Sequence, residues 1–226
     1  MLRMMSGLIA GLMMVLPTGV VAAGEQPNPV DLLFNARHLD LVPKGMSVKY
    51  KYEHAVSDEK LLGAPFSDDI KIDVTDVTDS KQSVVNVTVF TGERQRPIQN
   101  YDGLTINPVF IWFLDKSVDT YRLLSGGNQI YLKGRFRDAF IDKATVESIE
   151  IPYNGKTVAA HRVTVVPFDG DPNANKMQGF EKSKFTIVVS KEVPGYFVQF
   201  DSEIFSSQAG TGKVQDKIVL VSAEGK

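Results

Sequence analysis

From residue 46 to residue 54 the chain alternates, with Met46, Val48, Tyr50, Tyr52 and His54 on one side and Ser47, Lys49, Lys51 and Glu53 on the other. A period of two with one apolar side predicts a half-buried strand of an antiparallel sheet. "DIKIDVT" repeats the pattern with Ile70, Ile72 and Val74 inward, and "SVVNVTVF" repeats it with Val85, Val87 and Val89. The rhythm then changes. "NPVFIWFLDKSVDTYRLLSGG" opens with Asn107 as an N-cap and Pro108 in the first turn, closes on Gly126 and Gly127, and lays Phe110, Phe113, Leu114, Val118, Tyr121 and Leu124 along one broad stripe. Those caps and that stripe predict a helix. In "NQIYLKGRFRDAFIDKA", Leu132, Phe136, Ala139 and Phe140 fit a helical face, while Gly134 weakens it, so helix and strand both stay open for residues 128–142.

The β pattern returns in "TVESIEIPYNGKTVAAHRVTVVPF", where Asn154 and Gly155 sit between two β-rich runs and predict a hairpin. "KFTIVVS", a turn at "KEVPG" and "YFVQFDSEI" give a second pair, and "DKIVLVS" a last strand. Ahead of them all, "NPVDLLFNARHLDLVPKG" reads as a short helix capped by Asn28, with Val30, Leu33, Phe34, Arg37 and Leu41 on one face. Helix, strands, helices, strands is an α+β order on an antiparallel sheet.

Residues 1–23 differ from the rest: Arg3, an apolar run "GLIAGLMMVLPTGVV" and small residues at Ala22 and Ala23 predict a cleaved secretory signal peptide. Residues 24–226 are then a single α+β domain with a central helical insertion at about 107–142, with no stable membrane insertion after cleavage. The chain of 226 residues has no Cys, which excludes disulfide, thiol and thioether chemistry and Cys-based zinc sites. Export without Cys points to a bacterial periplasm. A formal net charge of −2 gives no electrostatic case for nucleic acid.

Candidate chemistry is sparse. "DGDPNANKMQGFE" places Asp169, Asp171, Asn173 and Asn175 at alternate positions, the opening of a calcium loop. It has Ala174 where such a loop needs Gly and Phe180 where it needs the bidentate Glu, so a polar connection between strands is the stronger reading and no metal is expected. His54 and His161 share the parity of inward residues and are candidate polar residues facing one interior. The pairs Arg94/Arg96 and Arg135/Arg137 are candidate contacts for an anion or an acidic partner. No nucleophile elbow, paired-carboxylate cleft or phosphate loop is present, so no catalytic residue and no cofactor is expected.

The order of elements, with the phrases "YNGKTVAAHRVTVVPF" and "FTIVVSKEVPGYFVQF", resembles the periplasmic lipoprotein carriers of the LolA and LolB type. That resemblance implies a strongly curved antiparallel sheet, a half-barrel, covered by two or three helices over a greasy cavity. It also implies a non-enzymatic protein that takes a hydrophobic small molecule or lipid, or a lipidated partner segment. Tyr50, Tyr52, Trp112, Phe113, Phe136, Phe197 and Phe200 are the candidate lining residues. The alternatives are an envelope adaptor that binds another protein through a sheet edge or the loop "TGERQRPIQNYDGL", and a small hydrolase or lyase.

Overall fold

The structure, a computed structural model, describes residues 26–208 and 212–225. The predicted signal segment lies outside the described residues. Four strands form a first meander: β1 (Met46–Val56), β2 (Phe66–Val77), β3 (Ser83–Val89) and β4 (Gln99–Leu104), with one helical turn, α1 (Glu59–Leu62), between β1 and β2. Two helices follow, α2 (Pro108–Ser125) and α3 (Gln129–Asp142). The second meander is β5 (Thr145–Tyr153), β6 (Lys156–Val165), β7 (Lys184–Val189), β8 (Phe197–Phe205) and β9 (Lys213–Gly225). All pairs are antiparallel, in the order β4-β3-β2-β1-β9-β8-β7-β6-β5. The sheet is curved and open, and β1 against β9 joins the two meanders at its centre.

Local chemistry explains these elements. The Asn107 side chain accepts the Val109 N–H, Pro108 occupies the first turn, and Gly126 ends α2 in the left-handed conformation that a residue without Cβ adopts freely. Residues 128–142 resolve as helix because Asn128 caps both Ile130 and Tyr131 N–H groups and the half-buried Gly134 faces open space where a Cβ would stand. At the β5–β6 hairpin, Asn154 and Gly155 both take positive φ, as a two-residue turn between twisted strands requires.

Two expectations change. The N-terminal segment forms a helix where its Asn28 cap and Pro29 predict it, with Asn28 Oδ1 accepting the Val30 N–H at 2.8 Å, but the helix covers only residues 29–35, is π-helical over Asp31–Asn35 and is followed by turns. Its buried residues are Leu32, Leu33, His38, Leu39 and Val42, a set no single helical face contains, whereas Phe34 and Leu41 are 36% and 47% exposed. Backbone hydrogen bonds from His38 and Leu39 to the Thr105 carbonyl draw the chain out of helical geometry. The segment "DGDPNANKMQGFE" is also more than a polar connection. It carries Met177 and Phe180 into the core, where Phe180 meets the ring of Tyr121 at 6.3 Å, and Phe168 just before it stacks on Tyr121 at 4.1 Å.

The core lies between the concave sheet and the helices. Phe110 stacks on Phe197 at 5.0 Å, Phe113 meets Phe200 at a tilt of 36° and 5.0 Å, and Phe136 meets Phe185 edge-on at 4.7 Å. Each of these rings buried from water contributes roughly 1.5–3 kcal/mol, so the helices are held mainly by this aromatic layer.

Candidate functional site

Three features concentrate candidate chemistry. The first is an apolar seam of about 210 Å³ between α2, α3 and the π-turn, rimmed by Phe34, Ile111 and Leu114 and floored by Val118, Phe136 and Phe140. Phe34 forms its outer wall and touches the rings of Phe110 and Phe140 at 5.3 and 5.8 Å. Ile111 is 41% exposed. Lys133, paired to Asp115 at 2.7 Å, and Arg137, paired to Asp138 at 2.9 Å, stand at the seam as its cationic edge.

The second is a buried polar row across the concave face. His54 on β1 registers with Asp216 on β9, and Asp216 registers with Ser202 on β8. One Asp216 oxygen accepts from Tyr52 Oη at 2.6 Å and faces His54 Nδ1 at 2.5 Å, while the other lies 3.7 Å from Lys116 Nζ of α2. Burial alone would raise the Asp216 carboxyl. The hydrogen bond from His54, the Lys116 charge and the Tyr52 hydroxyl outweigh it and hold the group below the usual carboxylate range. Burial and the adjacent carboxylate push the Tyr52 hydroxyl well above its ordinary value. This is not a nucleophilic relay. Asp216 stands between His54 and Ser202, so the imidazole has no access to the hydroxyl proton, and Ser202 Oγ is buried without a hydrogen-bond partner.

The third is a groove of about 660 Å³ between the π-turn, residues 36–41 and the β7–β8 turn, with His38 and Tyr196 in its wall. The Asn107 backbone N–H donates to His38 Nδ1, and the Asn107 side-chain amide donates to Tyr50 Oη and the Gly195 carbonyl, each at 2.8 Å. Burial lowers His38 to about 4, only partly opposed by the Leu32 carbonyl. Burial pushes Tyr196 up to about 12.

The residues singled out from sequence divide among these places. Tyr50, Tyr52, Phe113, Phe197 and Phe200 are at 0–1% exposure and lie in the packed layer. Phe136 floors the seam, and Trp112 is half-buried beside a smaller groove of about 180 Å³ with Tyr101, Ile106 and Ile111. The two histidines do not converge: β9, β8 and β7 separate β1 from β6, roughly 19 Å along the sheet at the usual strand spacing. His161 is half-exposed and faces Ser148 Oγ at 3.5 Å. The arginine pairs are also apart. Arg94 lies over the Phe66 ring at 4.9 Å, Arg96 is exposed on the same connection, and Arg135 is tied to the buried Asp171 at 2.6 Å, so its charge is already paired. Asp171 also accepts from Tyr131 Oη, Asn173 donates to Tyr131 Oη, Asp169 pairs with Lys182, and Asn175 is exposed. With its oxygens turned to cations and hydroxyls, that loop does not gather a ligand set, and no cluster of three metal-ligating side chains occurs among the described residues.

Sequence reasoning missed Asp216, His38 and Tyr196. The parity of Asp216 with Ile218 marked a charge facing inward, and "VPGY" marked a tight turn delivering an aromatic side chain.

No family model and no curated protein matches this chain. Among solved structures it is similar to the crystal structure of the Mycobacterium tuberculosis lipoprotein LppX, with 12% identity over 77% of this chain and 84% of that one and a TM-score of 0.28. A likeness at that level carries no argument about ligand or mechanism. Among the described residues no helix is long and apolar enough to cross a membrane.

Proposed function

We propose that this is an exported, non-enzymatic binding protein that takes a hydrophobic or lipid-like molecule along the seam between its helix hairpin and the π-turn. The observation that supports it most is the continuity from surface to core at the seam, where the exposed Phe34 and Ile111 rim a depression floored by the core rings Phe136 and Phe140. An apolar chain laid there replaces water on both, and Lys133 and Arg137 offer charge to an anionic head group. At about 210 Å³ the seam is smaller than the roughly 300–1,000 Å³ of a drug-sized site. It therefore receives one end of a chain, and a longer one enters as Phe34 turns aside.

Binding of an apolar fluorescent probe tests this. Ile111→Glu is expected to weaken binding at least tenfold while changing stability by less than about 0.5 kcal/mol, because the position is half exposed. Undiminished binding in that variant, or native mass spectra of the purified protein that never show a bound lipid, would sink the proposal.

A second reading has one observation behind it. The loop expected to bind a partner contains β4, an edge strand with no Pro from Gln99 to Leu104, whereas the opposite edge, β5, carries Glu147, Glu150 and Pro152. Glutamates and proline blunt an edge against pairing, so β4 is the edge better able to accept a strand from another envelope protein. A stoichiometric protein partner captured without lipid would favour it.

A further inference from the structure

The groove beside the β7–β8 turn holds two polar atoms that the fold leaves without a hydrogen bond. His38 and Tyr196 are 1% and 5% exposed, their rings stack at 4.9 Å, and both His38 Nε2 and Tyr196 Oη are buried without a partner. Native proteins leave few such atoms, and two side by side in one groove wall call for an explanation. The Asn107 N–H fixes the histidine tautomer. Because it donates to Nδ1, the proton of the neutral ring sits on Nε2, which makes no hydrogen bond of acceptable geometry. Tyr196 adds a hydroxyl beside it.

The backbone is strained to place that hydroxyl. Tyr196 has φ 67°, a left-handed conformation that is an outlier for a bulky side chain. It is held there by its N–H to the Val193 carbonyl at 2.9 Å and by Ser190 N–H to its own carbonyl at 2.9 Å. The preceding Gly195 allows the approach, since a Cβ at that position would lie 3.0 Å from Tyr50 Oη and Val48. The groove's charged groups are mixed, and its Asp31 carboxylate accepts from the Asn35 amide at 2.7 Å. Arg37 is engaged by Asp40 and the Lys81 carbonyl, but Lys191 lines the groove and forms no salt bridge among the described residues.

We propose that this groove is a binding site for a carboxylate carried on a short apolar body. His38 Nε2–H and Tyr196 O–H donate to its oxygens, Lys191 supplies the countercharge, and Leu32, Ala36 and Val193 receive the apolar part. Two neutral donors and one cation suit an anion of single charge with paired acceptor oxygens. Both polar atoms are buried, so entry requires the short helical segment 29–35, which only turns follow, to move aside. The site stands apart from the seam, because the π-turn lies between them with Phe34 facing one and Leu32 the other.

Titration of the full chain with octanoate, against octanol as the uncharged control, tests the proposal. Octanoate is expected to shift the His38 Nε2–H resonance, to bind more tightly than octanol, and to be weakened about fivefold or more by Tyr196→Phe and by Lys191→Ala. The ligand-free melting temperature of Tyr196→Phe is expected to be unchanged or higher, since the lost hydroxyl had no partner. The proposal is overturned if octanoate does not saturate, if octanol binds equally, or if the shifts gather around Ile111. It is equally overturned if Tyr196→Phe lowers the ligand-free melting temperature, which would show that the hydroxyl has a structural partner.

Discussion

His38 is neutral in the fold because its ring is buried and Asn107 N–H needs Nδ1 as an acceptor. The pH dependence follows from that. Its folded value of about 4 lies below the 6.5 of an exposed imidazole, so between those values the unfolded chain binds a proton that the folded one refuses. Stability from this group is intact above pH 6.5, declines as pH falls toward 4, and is flat below. The difference amounts to about 3 kcal/mol at most. Urea melts at pH 7.5, 5.5 and 4.5 should show the decline, with a smaller contribution of the same sign from His161, whose burial also lowers it. A profile flat from pH 7 to 4.5 would mean that His38 is protonated without cost. At this scale the sequence was partly legible. Parity placed Tyr50, Tyr52 and His54 inward correctly, because alternation reports which face a side chain occupies. It could not report what each one meets. The partner of His54 is Asp216, 162 positions away, and the partner of Asn107 is a ring from the N-terminal turns. The same limit hid the pairing of Arg135 with Asp171.

Elements with their own punctuation were the most legible. Between Asn107 and Gly126, α2 carries a cap, a first-turn proline, an apolar stripe and a left-handed stop, and each acts locally. Asn107 does more than cap, however, since its amide also ties β1 to the β7–β8 turn through Tyr50 and Gly195. Replacing it by Ala removes the cap, worth about 1 kcal/mol, and leaves a buried carbonyl and hydroxyl short of a donor, each costing about 1–3 kcal/mol. A loss of about 3 kcal/mol is expected in denaturant unfolding. Asn107→Asp restores the cap acceptor but not the two amide donors, so it should recover only about 1 kcal/mol; full recovery would show the tie to be idle. Elements that exist only through their neighbours were illegible. "QNYDGL" has little β character, and β4 is a strand because β3 offers it an edge. The N-terminal segment is helical over residues 29–35, as its Asn28 cap indicates, but beyond them Thr105 takes the backbone bonds of His38 and Leu39, and Leu39 and Val42 take the burial.

At the scale of the molecule, the chain closes its sheet at the centre. The first strand pairs with the last, from Met46 against Gly225 to Val56 against Val214, so neither meander completes its inner edge without the other. The aromatic layer crosses the same boundary: Tyr52 and Phe90 of the first meander meet Trp112, while Phe113 and Phe136 of the helices meet Phe185 and Phe200 of the second. One connected core among the described residues leads us to propose one cooperative unit, as a single domain over residues 24–226 would be. The chain has one Trp, and it sits where α2 meets the first meander, so its fluorescence reports that boundary while far-UV circular dichroism reports the whole sheet. The two signals should therefore change together in urea, in a single transition. Because contacts across more than 160 residues must close before the central pair forms, refolding is expected to be slow relative to a helical protein of this size. A chain ended after Phe205 lacks β9 and leaves β1 and β8 as two unpaired edges with no strand between them. It should show no cooperative transition. If that shortened chain still unfolds cooperatively, or if Trp112 fluorescence changes at a different urea concentration from the circular dichroism, the meanders are separate units and the central pairing is a docking contact.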